Sequence, residues 1–280
     1  NVLDDLLNAA SKSSIVLNDE DRLKSCLAHS YCMRGQCLTQ VKIFDLAVKD
    51  YSKAIILDKD NINAHLNRGM VYKLKGSYMH AEDDFTKVID LSPRHGLAHF
   101  YRGNVRKCQN KIPEAFKDYE VALTLPDVPY ALVYNNRGNL YLEEKKYTQA
   151  ISDYSDALKL KPNFFVALRN RGILYKYQGQ RDKSISDFTR AIQLSPTDVT
   201  SYNYRGIMYR EKEMYELAIQ DFSKSIELNP LYAAAFRNRS ELYKKRNQNV
   251  LALRDISHAA QLQPDSDLYE TERFQLVLKL

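Results

Sequence analysis

The sequence predicts an all-α solenoid of stacked helical hairpins, and three observations carry that prediction. An Arg-Gly pair recurs at Arg34-Gly35, Arg68-Gly69, Arg102-Gly103, Arg137-Gly138, Arg171-Gly172 and Arg205-Gly206, with Arg239-Ser240 as a seventh mark. The steps are 34 residues, with one of 35. Small and aromatic residues follow each mark at intervals of three, four and seven, which is helical periodicity. Glycine and proline punctuate the stretches between them. A unit of this size cannot bury its apolar face alone, so neighbouring units must stack.

Each predicted unit holds two helices. Three residues after the glycine position, the first helix carries Leu38, Tyr72, Arg106, Tyr141, Tyr175, Tyr209 and Tyr243. Turn signals such as Lys75-Gly76-Ser77 and Gln178-Gly179-Gln180 end it. The second helix presents Ala47, Ala81, Ala115, Ala150, Ser184, Ala218 and Ala252. Four residues on come Tyr51, Phe85, Tyr119, Tyr154, Phe188, Phe222 and Ile256. Pro93, Pro162, Pro196, Pro230 and Pro264 close most units, and Pro113 suits the first turn of a second helix. A glycine within a helix costs about 1 kcal/mol relative to alanine, so six at one phase imply close approach of two helix axes.

This ladder of Gly, Tyr, Ala, aromatic, Ala and Pro at 34-residue spacing resembles the tetratricopeptide repeat family. The resemblance covers residues 28–266 as seven units: 28–61, 62–95, 96–130, 131–164, 165–198, 199–232 and 233–266. It implies a right-handed superhelix with a concave groove lined by the first helices. Arginine departs from the family by standing where leucine is common, and the first unit has Asp58-Lys59-Asp60 in place of its proline. Residues 1–27 read as a degenerate helical segment: Asp5 to Ala9 resembles a second helix, and Ser11 to Leu27 an irregular spacer. Residues 267–280 read as a capping helix. A chain that opens on Asn1 is expected to be a segment of a longer protein.

Aspartate follows the glycine mark by fifteen residues in every unit: Asp50, Asp84, Asp118, Asp153, Asp187, Asp221 and Asp255. In an antiparallel hairpin this places an aspartate opposite each arginine, within a unit or across a seam. A residue required equally in every unit belongs to the scaffold, so specificity is expected in the variable stripe beside it.

That stripe occupies the positions six, three and two before the glycine, and one, four and five after it. By the resemblance it lines the groove, where extended peptides or partner helices lie. Its asparagines are Asn67, Asn104, Asn135, Asn136, Asn139, Asn170, Asn203 and Asn238, and its apolar members include Phe100, Leu132, Leu142, Val166, Ile173 and Tyr177. Its cations include Lys73, Lys107, Arg169, Lys176 and Arg210. An asparagine column can grip a peptide backbone, apolar residues can hold anchors, and cations favour a partner with acidic residues. The carboxylate clamp of co-chaperones requires a lysine six residues before the glycine of its third unit. Leu97, Leu132, Val166, Thr200 and Ala234 stand at such sites, so no standard clamp is expected.

Other chemistries are not expected. His65 and His99 share the phase of Tyr31, Tyr134 and Tyr202, so they read as packing substitutes, although His95 and His99 have metal-ligand spacing. Cys26, Cys32, Cys37 and Cys108 lack paired spacing and read as the thiols of an intracellular, cytoplasmic protein. A net charge of +6 without a run of five basic residues gives no nucleic-acid footprint. No apolar stretch reads as a membrane span, and no phosphate-loop, dinucleotide, zinc or hydrolase motif occurs, so neither a cofactor nor a metal is expected. The expected function is a non-catalytic interaction scaffold or adaptor. The alternatives are the targeting region of a longer enzyme and a structural part of a cytoskeletal or ciliary assembly.

Overall fold

The computed structural model describes the backbone of residues 16–278 and the side chains of residues 19–278. Among the described residues the secondary structure is fifteen helices and no strand. They are α1 (Val16–Gln40), α2 (Phe44–Leu57), α3 (Ile62–Leu74), α4 (Tyr78–Leu91), α5 (Gly96–Cys108), α6 (Ile112–Thr124), α7 (Tyr130–Glu143) and α8 (Tyr147–Leu160). There follow α9 (Phe165–Tyr177), α10 (Arg181–Leu194), α11 (Val199–Glu211), α12 (Tyr215–Leu228), α13 (Ala233–Lys245), α14 (Asn249–Leu262) and α15 (Asp267–Val277). The chain divides into two compact units, the first ending at Leu140 and the second beginning at Tyr141.

One difference from expectation lies at the start. The segment expected as an irregular spacer is helical from Val16 onward, continuous with the first helix of the first hairpin. The stretch Asp5 to Ala9 lies outside the described residues. At the other end α15 buries Tyr269 and Leu276 against α13 and α14.

In the first unit α1 packs on α2, α3 on α4 and α5 on α6, and α2 and α4 also pack on α3 and α5. In the second unit α9/α10, α11/α12 and α13/α14 repeat this arrangement. The glycine mark is the pinch point. A Cβ added at Gly35 would lie 2.7 Å from the Tyr51 ring, at Gly103 2.8 Å from Tyr119, and at Gly206 2.7 Å from Phe222. The hairpin without a glycine carries a smaller partner instead, since Ser240 is matched with Ile256 and donates to Ala252 O at 2.7 Å.

Turns follow the same phase. Gly76 and Gly179 adopt φ of 75° and 69°, and Lys42, Asn110, Lys145, Glu213 and Asn247 adopt φ between 58° and 62° at the equivalent turn. Where the repeat is one residue longer, Leu125 and Val128 turn inward and Val128 Cγ1 occupies the space that a Cβ on Gly96 would need. Pro93, Pro162, Pro196, Pro230 and Pro264 each stand two residues past the end of a second helix.

The aspartate row is buried and paired within hairpins. Arg34–Asp50, Arg68–Asp84, Arg171–Asp187, Arg205–Asp221 and Arg239–Asp255 each join Nε and Nη2 to the two carboxylate oxygens at 2.6–3.0 Å. Arg102 donates to Asp118 from the same two nitrogens at 2.8–3.2 Å. The second amino group reaches backward to a hydroxyl of the preceding second helix: Arg68 to Ser52, Arg171 to Ser155 and Arg239 to Ser223, at 2.9–3.0 Å. Each such arginine therefore closes its own hairpin and the seam behind it.

Candidate functional site

Because the second helices and the seams absorb the repeated residues, the free surface of interest is the variable stripe of the first helices. In the first unit α1 neighbours α3 and α3 neighbours α5; in the second, α9 neighbours α11 and α11 neighbours α13. Successive first helices thus present their stripes side by side within each unit.

The stripe is more deeply engaged with the scaffold than its sequence suggests. Phe100, expected as a groove anchor, is only 5% exposed and packs in the core with Ala115, Tyr119, Val133 and Leu140. Asn135, Asn203 and Asn238 are likewise buried, not open to a groove. The position three before the glycine faces the neighbouring first helix, which the 34-residue stacking draws close. Asn238, two before Ser240, donates from Nδ2 to Asn203 Oδ1 at 2.9 Å, tying α13 to α11.

Asn104 and Asn136 form the polar tier of the first unit. Asn136 Nδ2 donates to Asn104 Oδ1 at 2.7 Å, and the Tyr119 hydroxyl donates to that same oxygen at 2.8 Å. Asn135 Nδ2 donates to Asn136 Oδ1 at 3.3 Å, leaving the buried Asn135 Oδ1 without a partner. Leu132, one turn before Asn136, is exposed, and Asn139, one turn after it, is half-buried. Asn67, Lys73 and Lys107 are half-buried on the same stripe, with Lys73 Nζ 5.8 Å from the Tyr101 ring centre.

In the second unit several expected anion receptors are already matched. Arg169 meets Asp198 at 3.4 Å and lies over the Phe165 ring. Arg210 pairs with Glu241, and Arg237 joins Glu241 and Glu272 at 2.9 Å and 2.8 Å. In the second unit Arg169, Arg210 and Arg237 therefore each link their helix to the next hairpin or helix. Leu142, Val166, Asn170 and Ile173 are half-buried, and Tyr177 is exposed. Asn170 bonds the buried Tyr154 hydroxyl; burial pushes that phenol's pKa up and the bond opposes it. Lys176 sits between the rings of Tyr177 and Tyr204. Burial pushes its amine below the ordinary lysine range; Glu211 pulls the other way and Arg210 adds to the depression.

The histidines are brackets for the aspartate row. His65 Nδ1 lies 2.9 Å from Asp84 and its Nε2 3.1 Å from Lys59 O; His99 Nε2 lies 3.1 Å from Pro93 O. His95 caps α5, its Nδ1 accepting from Ala98 N at 3.2 Å. The sequence reading missed Tyr204, Glu241 and Glu272, although all three fall in stripe phases. It also missed the Tyr119 hydroxyl, which was visible only as a packing ring.

Family comparisons agree with this hairpin geometry. Tetratricopeptide repeat models match residues 62–95, 131–164, 165–198 and 199–232, and a TPR repeat model matches 43–76, together more than half of the chain. The chain belongs to the tetratricopeptide repeat family. Tetratricopeptide repeat protein 13 of Homo sapiens is 28% identical over 155 residues, 54% of this chain and 17% of that protein. Protein O-mannosyl-transferase TMTC3 of Mus musculus is 30% identical over 145 residues, 46% of this chain and 16% of that protein. The chain thus spans less than a fifth of the length of either relative.

Solved tetratricopeptide structures share the fold. The C-terminal part of a TPR repeat-containing protein from Cytophaga hutchinsonii superposes with TM-score 0.70 at 16% identity, covering 86% of this chain and 98% of that one. YrrB, described as a TPR protein with an unusual peptide-binding site, gives 0.58 at 21% identity over 66% of this chain and 95% of its own. The fold is that of a tetratricopeptide solenoid, and family membership supports a general role as a protein-interaction scaffold. Among the described residues no helix is long and apolar enough to cross a membrane.

Proposed function

We propose that this chain is a non-catalytic scaffold that holds an extended segment of a partner protein on its first-helix face. The observation that carries the reading is the tier of half-buried Asn104 and Asn136, bonded to each other on neighbouring first helices beside half-buried Asn139. Asparagine pairs both donor and acceptor, so this tier suits the alternating N–H and C=O groups of a peptide backbone. Exposed Leu132 beside it supplies an apolar contact. The exposed thiols of Cys26, Cys37 and Cys108 favour a reducing, cytoplasmic setting.

Affinity capture with the wild-type chain beside an Asn136→Ala/Asn139→Ala variant tests this reading. Partners lost only from the variant are held by this face, provided its melting midpoint stays close to that of the wild type. A folded variant that keeps every partner overturns the reading. A second reading is that these repeats serve as the targeting region of a longer enzyme. The likeness to TMTC3, named as a transferase, favours it, and a catalytic domain elsewhere in the open reading frame would establish it.

A further inference from the structure

Lys176, in the last turn of α9, has a setting that the repeat scaffold does not require. Its Nζ lies 4.6 Å from the ring centre of Tyr177 and 4.9 Å from that of Tyr204. Tyr177 stacks on Tyr147 at 6.2 Å and Tyr204 on Phe188 at 5.7 Å, so both rings are held from behind. Among the described residues no carboxylate or carbonyl accepts a hydrogen bond from this half-buried ammonium.

The nearby charges are otherwise matched. Arg169 has Asp198, Arg210 has Glu241 and Arg237 has Glu272. Glu211, the carboxylate that acts most on Lys176, is held by Arg181 at 2.9 Å. An ammonium partly withdrawn from water, with open donors, gains more from a carboxylate than a fully solvated lysine does. The two tyrosine rings add apolar surface on either side of it.

The geometry points to Lys176 as the anchor for a glutamate or aspartate side chain of a partner segment that crosses α9 and α11. Apolar residues flanking that acid rest on the exposed ring of Tyr177 and on Ile173. The inference rests on the reading that the first-helix face binds partner segments. It concerns the second unit, whereas that reading is carried by the asparagine tier of the first.

Three acetylated peptides of sequence Gly-Ser-Leu-Xaa-Leu-Ser-Gly, with Glu, Gln or Lys at Xaa, serve as probes against the full 280-residue chain. Fluorescence anisotropy gives affinities on the unmodified protein. Carbon-13 reductive methylation gives an NMR signal for each lysine, and Lys176→Gln identifies the signal in question. The Glu peptide is expected to bind about tenfold more tightly than the Gln peptide, as a charge-assisted hydrogen bond implies. It is also expected to displace the Lys176 signal and raise its titration midpoint. In Lys176→Gln the preference for Glu should vanish while the melting midpoint holds. Equal binding of the Glu and Gln peptides, binding of the Glu peptide that leaves the Lys176 signal unmoved, or no response to any probe each overturns the assignment. The capture result with Asn136→Ala/Asn139→Ala is independent of all three, so the two readings fail separately.

Discussion

Replacing Gly206 by alanine sets two opposing effects against each other. Alanine is the better helix former by about 1 kcal/mol, so in an isolated α11 the change is stabilising. In the folded hairpin the new Cβ meets the Phe222 ring at 2.7 Å and 3.0 Å, and must drive it back by roughly 0.7 Å to reach ordinary contact. Phe222 is fully buried against Ala218 and Leu242, so the ring has nowhere to go without moving other side chains. Overpacking of this kind costs about 1–3 kcal/mol. The clash should win, and Gly206→Ala is expected to lower stability by about 1 kcal/mol net. The decisive measurement is a double-mutant cycle with Phe222→Ile, which imitates the Ser240 and Ile256 pair. Phe222→Ile alone leaves a cavity and costs about 1–3 kcal/mol. With the smaller side chain present, Gly206→Ala should become neutral or stabilising, giving a favourable coupling of about 1–2 kcal/mol in urea denaturation. A single variant more stable than wild type, or coupling within error of zero, would show that the glycine row does not set the helix spacing.

Four further expectations can be measured in the same way. Asp187→Ala removes a carboxylate that takes two 2.8 Å bonds from a largely buried Arg171, and should cost about 3 kcal/mol by chemical denaturation. Phe100→Ala should cost about 3 kcal/mol as a core deletion, and its partner capture should match wild type under conditions where it remains folded. Glu213 holds φ of 60° where Gly179 stands in an equivalent turn, so Glu213→Gly should raise stability by about 0.5–1 kcal/mol. Burial pushes the Asp118 carboxyl up, but His99, Arg102 and Arg106 together outweigh it and hold its pKa below the ordinary range. Its contribution is therefore present in full above the unfolded pKa of about 4 and is lost as pH falls through the lower folded value. The stability gap between wild type and Asp118→Asn should accordingly narrow as pH is lowered from 5 to about 2.5.

The hairpins were legible because each packing residue recurs. Gly206 and Phe222 are informative in a single sequence since Gly35 and Tyr51, or Gly172 and Phe188, say the same thing at the same phase. Arg and Asp could be paired for the same reason. The candidate site was legible only as a stripe. Whether Asn203 faces a ligand or Asn238 depends on the distance between neighbouring first helices, which no residue type encodes. Phe100 was misread because the position three before the glycine is half buried or buried according to that same distance. The turn residues Lys145 and Glu213 gave no local sign of a left-handed conformation, since the hairpin on either side imposes it.

The arginine that grips an aspartate sixteen residues ahead and a hydroxyl sixteen residues behind has a consequence for how the array can change length. Ser52, Thr86, Ser155, Thr189 and Ser223 all stand at the receiving phase, with Glu120 in the hairpin that carries the extra residue. Excising residues 165–198 would bring Ser155 to the place of Thr189 behind Arg205, and leave Asp221 ahead of it. The joint chemistry would survive the cut. Bonds that span equal lengths of chain on both sides make each 34-residue block an interchangeable cassette, so duplication or loss of a whole block leaves this pattern of bonds intact.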